Sequence, residues 1–173
     1  MRGELRLAPH FYIDICMQKI DKTYDLNQIQ IEIDFIVKVH GWWNDSQISL
    51  QSPNGEWHDG VGTTYGENFK ETDFKKLNTE PHWEISKFIT ENNLYRTRIL
   101  KVKPGHCYSY HKDFSKRIHL AVTTHPHCFL VIDKQLYHVP ADSHPYLLDT
   151  TLPHTAMNAS LTHERIHVVG CTQ

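Results

Sequence analysis

The stretch Arg117–Ile132 reads R-I-H-L-A-V-T-T-H-P-H-C-F-L-V-I and decides the fold class that we predict for this chain. It contains two short runs, Arg117–Thr124 and Cys128–Ile132, which are rich in apolar and β-branched residues. A turn sequence with Pro126 separates them. Runs of this length between turn signals are typical of β-strands. The stretch therefore predicts two consecutive short strands.

The same succession of short strand-like runs and turns extends in both directions, from Leu94 to the end of the chain. Further strands are predicted at Tyr95–Lys103, Cys107–Asp113, Gln135–Val139, Tyr146–Thr150, His154–Asn158 and Arg165–Cys171. About eight short strands with turns between them are the pattern of a double-sheet β sandwich or jelly roll.

The part of the chain before Leu94 predicts a few other elements. Residues 10–20 alternate loosely and indicate a first strand, and 47–50 a short one. Residues 25–40 fit both a strand and one face of a helix, but Asp25 as N-cap and Gly41 as the residue after the last turn favour a helix. Residues 51–70 are rich in glycine and predict a loop, and Thr79 with Pro81 predicts the start of a second helix. The predicted class is α+β, mainly β.

Length and composition exclude several classes of protein. The chain has 173 residues and suits a single domain, 1–173, with a β core at about 94–173. A net charge of −2 indicates neither nucleic acid nor an anionic membrane as a partner. No apolar run approaches the ~20 residues of a membrane span, and no export signal is visible. Four scattered cysteines are typical of reduced thiols, so we expect a cytoplasmic protein.

A candidate metal site lies in the stretch Y-S-Y-H-K-D at 108–113. His111 and Asp113 are two residues apart, so on a strand both side chains would leave from one face. With His154 they would form the 2-His-1-carboxylate set that holds non-haem Fe(II). A hydrogen-bonded structural pair is the alternative for His111 and Asp113, because histidine is frequent here, with 14 residues.

A second cluster, H-P-H-C at 125–128, could also bind metal, as a zinc site. A second pair of ligands at finger-like spacing is missing from the sequence. We therefore favour a turn at the rim of the β structure for this cluster.

Alternation along three predicted strands places polar residues on one face of each strand. They are Arg117 and His119 on the first, His154 and Asn158 on the second, and Arg165 and His167 on the third; if these faces point inward, the interior receives them all. A protein interior does not accept unpaired charge without a cost of several kcal/mol. A bound dicarboxylate that pairs with a buried arginine would remove that cost.

Four motifs together resemble a known family. H-K-D at 111–113, R-I-H at 117–119, P-H-T-A-M-N-A-S at 153–160 and E-R-I-H-V-V at 164–169 are similar to the aspartyl/asparaginyl β-hydroxylase branch of the Fe(II)/2-oxoglutarate-dependent dioxygenases. Free-proline hydroxylases are close relatives of this branch. The resemblance covers roughly residues 80–173 and implies a double-stranded β-helix (jelly roll, cupin-like), here braced by N-terminal helices.

The resemblance also implies roles for single residues. His111, Asp113 and His154 would hold the iron, and Arg165 would pair with the C5 carboxylate of 2-oxoglutarate. His119 is the next candidate for a contact with this co-substrate. Arg117 and Asn158 match family positions near co-substrate or substrate, with no contact assigned to either. The namesake hydroxylases lack the carboxylate ligand that Asp113 would provide here, which strengthens the iron site and weakens the transfer of their particular substrate to this chain.

These observations predict an Fe(II)/2-oxoglutarate-dependent dioxygenase that uses O2 and releases succinate and CO2. Three protein ligands on one face leave positions open for the oxo acid and for O2. The substrate implied by the family is an amino acid, free or within a peptide, and hydroxylation is favoured over halogenation because the carboxylate ligand is present. A cupin-like metalloenzyme that does not use 2-oxoglutarate and a non-catalytic β-sandwich binding module are the alternatives.

Overall fold

The computed structural model describes residues 16–61 and 69–173 of the chain. Within them the architecture is mainly β, with two α-helices and antiparallel pairing between the strands. The strands are β1 (Met17–Lys19), β2 (Gln47–Ser49), β3 (Gln51–Ser52), β4 (Lys76–Leu77), β5 (Tyr95–Val102), β6 (His106–Cys107), β7 (Lys116–Thr123), β8 (Cys128–Ile132), β9 (Gln135–Tyr137), β10 (Tyr146–Leu148), β11 (His154–Asn158) and β12 (Arg165–Thr172).

The first helix, α1, spans Leu26–His40, so the helical interpretation of this ambiguous segment is confirmed. The Asp25 carboxylate accepts hydrogen bonds from the backbone N–H groups of Asn27 and Gln28, which would otherwise lack partners. Gly41 ends the helix at φ 70°, a conformation that glycine adopts without steric cost. Ile29, Ile33 and Ile36 are buried on one face of this helix, so the helical pattern of apolar residues, and not the strand-like alternation, matches the structure.

The second helix, α2, spans Glu84–Glu91 and begins later than Thr79 and Pro81 predict. Its N-cap residue, Trp83, makes no capping hydrogen bond with its side chain. The buried carboxylate of Glu32, in α1, accepts the N–H groups of Glu84 and Ile85 instead, both at 2.9 Å. A contact between the two helices thus determines where α2 begins.

Two sheets and the helices form three layers. The larger sheet has the order β1-β10-β7-β12-β5-β2, the smaller one β6-β11-β8-β9, and β3 pairs with β4 separately. The helices cover one face of the larger sheet in a core that includes Ile29, Ile33, Ile36, Phe88, Ile99, Leu120 and Val168. The other face packs on the smaller sheet through Ala121, Leu130, Ile132, Tyr146, Leu148 and Ala156.

Most predicted strands are present with ends shifted by up to two residues, and one is wrong over most of its length. The segment 107–113 was expected to be a strand, but only His106–Cys107 is one. Residues 51–52 form β3 within the predicted loop, whose residues 62–68 lie outside the described part of the chain, as do 10–15 of the predicted first strand. Neither α-helix of the described residues is long and apolar enough to cross a membrane.

Candidate metal centre

The backbone brings the predicted metal ligands together by a different route from the one expected. His111 and His154 form an isolated antiparallel bridge, in which the backbone nitrogen of each donates to the carbonyl oxygen of the other at N to O distances of 2.9 and 2.8 Å. The N–H of Asp113 donates to the carbonyl of Thr150 at 2.9 Å. Asp113 follows on irregular chain rather than on a strand. Pairing with the segment around β11, and not alternation along a strand, therefore makes the ligands converge.

Hydrogen bonds orient both imidazole rings. Nδ1 of His111 lies 2.7 Å from the carbonyl oxygen of Ser109, and Nδ1 of His154 lies 3.0 Å from that of Leu152. A carbonyl only accepts, so each Nδ1 carries the proton and each Nε2 has a free lone pair. Histidine ligands of metals are commonly fixed in this way.

The free nitrogen atoms point at Asp113. Its two carboxylate oxygens lie 3.8 Å from Nε2 of His111 and 3.5 Å from Nε2 of His154. The three ligand atoms all lie within 4.8 Å of one another. Burial lowers the pKa of His154, which keeps this ring neutral and able to bind a cation. Two imidazole nitrogens and one carboxylate are a donor set that suits a divalent transition metal.

A network of ion pairs supports the carboxylate ligand from behind. Nε of Arg117 lies 3.1 Å from Oδ2 of Asp113, while Nη2 of Arg117 donates to Oε1 of Glu71 at 2.7 Å. Glu71 begins a short 3-10 helix, Glu71–Asp73, and also accepts from Nη1 of Arg96 at 2.7 Å. Burial opposes the ionised form of Glu71, but the guanidinium of Arg117 and hydrogen bonds from Ser115 and Arg96 hold its pKa below the usual range.

This network was not foreseen from the sequence. Glu71 lies 42 residues before Asp113, just past the predicted loop 51–70, and no local pattern marks it. Arg117 was predicted to lie near co-substrate or substrate. In the structure its guanidinium bonds Asp113, Glu71 and Ser115, so its immediate role is to position the carboxylate ligand.

A cavity of about 430 Å³ opens beside the three ligands. It lies between the two sheets, and its wall includes His119 from β7, Leu130 from β8, Ala156 from β11 and Arg165 from β12. His119, which was predicted to contact a co-substrate, is therefore placed where such a contact is possible.

Arg165 is a charged group deep in this wall. It is 1% exposed, and Nη2 donates to Nδ1 of His167 at 3.0 Å. No carboxylate of the described residues lies within ion-pair distance of it. Burial lowers its pKa to about 10, which still leaves the guanidinium charged at neutral pH. Burial, together with the charge of Arg165, holds the pKa values of His119 and His167 well below 6.5, so both rings are neutral and do not add to the charge.

Asn158 is not part of the cavity wall. Its amide nitrogen donates to the carbonyls of Val102 and His163, and its oxygen accepts from Cys128 and the N–H of Ser160. These contacts hold the turn between β11 and β12 against β5. Asn158 therefore has a structural role in this turn.

The H-P-H-C cluster does not form a metal site with the neighbours that the structure describes. His125 stacks on His163, with ring centroids 4.7 Å apart, and its Nδ1 accepts the N–H of His127. Cys128 is buried and donates to Asn158. Among residues 16–61 and 69–173, His111, Asp113 and His154 are the one group with the spacing of a metal site.

A scan against models of protein families finds no match, and a search of curated proteins finds no similar sequence.

Proposed function

We propose that the protein is an Fe(II)/2-oxoglutarate-dependent dioxygenase that hydroxylates an amino acid, free or within a peptide. One observation carries the proposal: His111, Asp113 and His154 line the same cavity as the guanidinium of Arg165, which pairs with no carboxylate in the described part of the chain. A metal group alone fits many enzymes. The buried cation beside it adds the requirement for an anion, which the dicarboxylate 2-oxoglutarate meets.

The fold fits this proposal. We infer that the six-stranded and four-stranded sheets are the two halves of a double-stranded β-helix, with α1 and α2 on the outer face of the larger sheet. In that arrangement the metal ligands come from β11 and from the irregular segment before β7. Arg165 begins the strand that follows β11.

The residues of this chain have distinct tasks in the proposed reaction. Bound Fe(II) would supply the activation of O2 and the oxidative chemistry. His111, Asp113 and His154 would hold it through two Nε2 atoms and a carboxylate. Arg165 would bind the far carboxylate of 2-oxoglutarate through two parallel N–H to O bonds.

Neighbouring side chains hold these residues in position. Arg117 holds Asp113 in one orientation, and Glu71 in turn holds Arg117. Apolar side chains from both sheets, Leu100, Leu130, Ala156 and Val169, complete the cavity wall and limit the water around the reacting groups.

The proposal is tested by metal binding and turnover together. We expect Fe(II), or Mn(II) in its place, to bind wild type with one ion per chain, and the His111→Ala/His154→Ala double variant to lose this binding. Undiminished binding in the double variant would refute the assigned ligands. Iron-dependent release of succinate from 2-oxoglutarate separates a dioxygenase from a cupin-like metalloenzyme that does not use this co-substrate and from a binding module without catalysis.

A further inference from the structure

Arg98 is a second buried arginine on the cavity wall, at a different place from Arg165. The register of β5 and β12 sets Arg98 opposite Val169 and Arg165 opposite Val102. The two α-carbons are therefore four positions apart along the sheet, which is about 13 Å at ~3.3 Å per residue. A small dicarboxylate bound to Arg165 and to the metal would therefore leave the guanidinium of Arg98 available to a second ligand.

Few groups inside the protein offset the positive charge of the Arg98 guanidinium. The side chain is 9% exposed, Nη1 donates to the neutral amide oxygen of Gln47 at 3.3 Å, and Nε is buried without a partner. No described carboxylate lies within ion-pair distance of it, whereas Arg96 and Arg117, on the same wall, share Glu71. Burial lowers the pKa of Arg98 to about 10, with the nearby charge of Arg96 as a second cause.

The charges around the cavity do not balance after the co-substrate is counted. The buried or nearly buried wall holds four guanidiniums and two carboxylates, a surplus of two positive charges; these groups are Arg96, Arg98, Arg117, Arg165, Glu71 and Asp113. A divalent metal raises the surplus to four, and the two carboxylates of 2-oxoglutarate return it to two. Uncompensated charge in a protein interior is costly, so a ligand that places an anionic group beside these guanidiniums is favoured.

Resting on the function proposed above, we infer that the substrate is a carboxylic acid and that Arg98 binds its carboxylate. The guanidinium lies on the cavity wall and its printed hydrogen bond goes to a neutral amide, so it can donate its remaining N–H groups to a carboxylate in a charge-assisted contact. The carboxylate has two possible sources: the α-carboxylate of a free amino acid, or an aspartate or glutamate side chain within a peptide. Neutral compounds of the same shape are rejected, because they leave Arg98 buried without a counter-charge.

The test uses two panels of compounds with matched neutral controls. The first contains the free L-amino acids and their C-terminal amides. The second contains capped pentapeptides with a central Asp or Glu, and the same peptides with Asn or Gln. Two readouts are taken: succinate formed in the presence of Fe(II), and binding to the Mn(II)-loaded protein at saturating 2-oxoglutarate, which needs no turnover.

Two substitutions of Arg98 and one control complete the design. Arg98→Met removes the charge and keeps the length of the side chain, while Arg98→Lys keeps the charge without the planar fork. Lys101→Met removes another buried cation of β5, one that is paired with Asp45 and packs over Trp42, outside the cavity wall. Thermal unfolding of each variant shows that it folds.

We expect acids of one panel to bind and to stimulate succinate release, and their neutral counterparts to do neither. Arg98→Met should raise the KM and Kd for the acid by about 10- to 100-fold and leave the KM for 2-oxoglutarate nearly unchanged. Arg98→Lys should recover part of the loss, and Lys101→Met should behave as wild type. The panel that responds identifies the source of the carboxylate.

The inference is overturned if neutral compounds act as well as acids, if Arg98→Met leaves the KM and Kd for the acid unmoved, or if no acid of either panel binds. Failure of the dioxygenase proposal is a different result. It would show as absence of 2-oxoglutarate binding and of succinate release in every variant, and it would remove both proposals.

Discussion

Replacing Arg165 with methionine should stabilise the free protein. Arg165 is 1% exposed, and among the described residues its guanidinium makes one hydrogen bond, to His167. Burial lowers the pKa of Arg165 from 12.5 to about 10. At about 1.36 kcal/mol per tenfold change, this corresponds to a penalty of roughly 3 kcal/mol for keeping the charge in the interior. Methionine occupies similar space without a charge.

The sign of the effect follows from the pKa. A cation with a lowered pKa destabilises the fold wherever it is charged, so the penalty is fully present below pH 10 and fades as the pH rises through about 10. At pH 7, without 2-oxoglutarate, the free energy of unfolding of Arg165→Met should exceed that of wild type by about 1–3 kcal/mol, because the penalty for the buried charge is removed while the hydrogen bond to His167 is lost. Urea titration measures this difference.

The same substitution should impair binding of 2-oxoglutarate. Hydrogen bonds to charged groups contribute about 1.5–3 kcal/mol each, so loss of the fork should raise the KM for 2-oxoglutarate by roughly one to three orders of magnitude. Iron binding should survive, and Arg165→Lys should recover only part of the loss. If Arg165→Met is less stable than wild type and its succinate curve is unmoved, Arg165 is a structural residue and the co-substrate anchor lies elsewhere.

Two further substitutions test the supporting structure. Glu71→Gln should cost about 3–5 kcal/mol of unfolding free energy, because it breaks a buried ion pair, and should weaken metal binding through Arg117. Since the pKa of Glu71 is lowered in the folded protein, its contribution is present above pH 4.5 and is lost below it; a difference between wild type and variant that does not shrink in acid contradicts this. Glu32→Gln should cost about 1–2 kcal/mol, because one of two acceptors for the first N–H groups of α2 and the favourable charge are lost. The exposed Asp34→Asn in the same helix is the control, and an equal loss in both variants refutes the capping role of Glu32.

Local sequence patterns predicted the elements whose ends are set locally. Asp25 and Gly41 mark both ends of α1 because their effect needs only neighbouring backbone groups. The start of α2 was misplaced because its first N–H groups are satisfied by Glu32, 52 residues earlier in the chain. Because this capping residue is distant in the chain, the sequence near α2 contains no signal for it.

The candidate site shows the same division. His111, Asp113 and His154 could be selected from residue type and spacing, although the strand that was to align the first two is absent. Glu71 could not be found, because it reaches Arg117 through the fold alone. Arg98 could have been found. The run Y-R-T-R-I-L-K-V at 95–102 places this arginine on the same alternating face as Leu100 and Val102, which is the mark of a cation turned towards a core.

The most direct test of the central claim is the amount of succinate formed from 2-oxoglutarate by wild type and by Asp113→Ala, each with and without Fe(II). Asp113 supplies the one carboxylate of the ligand group, and its loss leaves Arg117 without that partner as well. We predict iron-dependent succinate from wild type and none above background from the variant, with both proteins folded by circular dichroism. Equal succinate from both proteins, or none from wild type in the presence of Fe(II) and the acid panels, would contradict the proposed function.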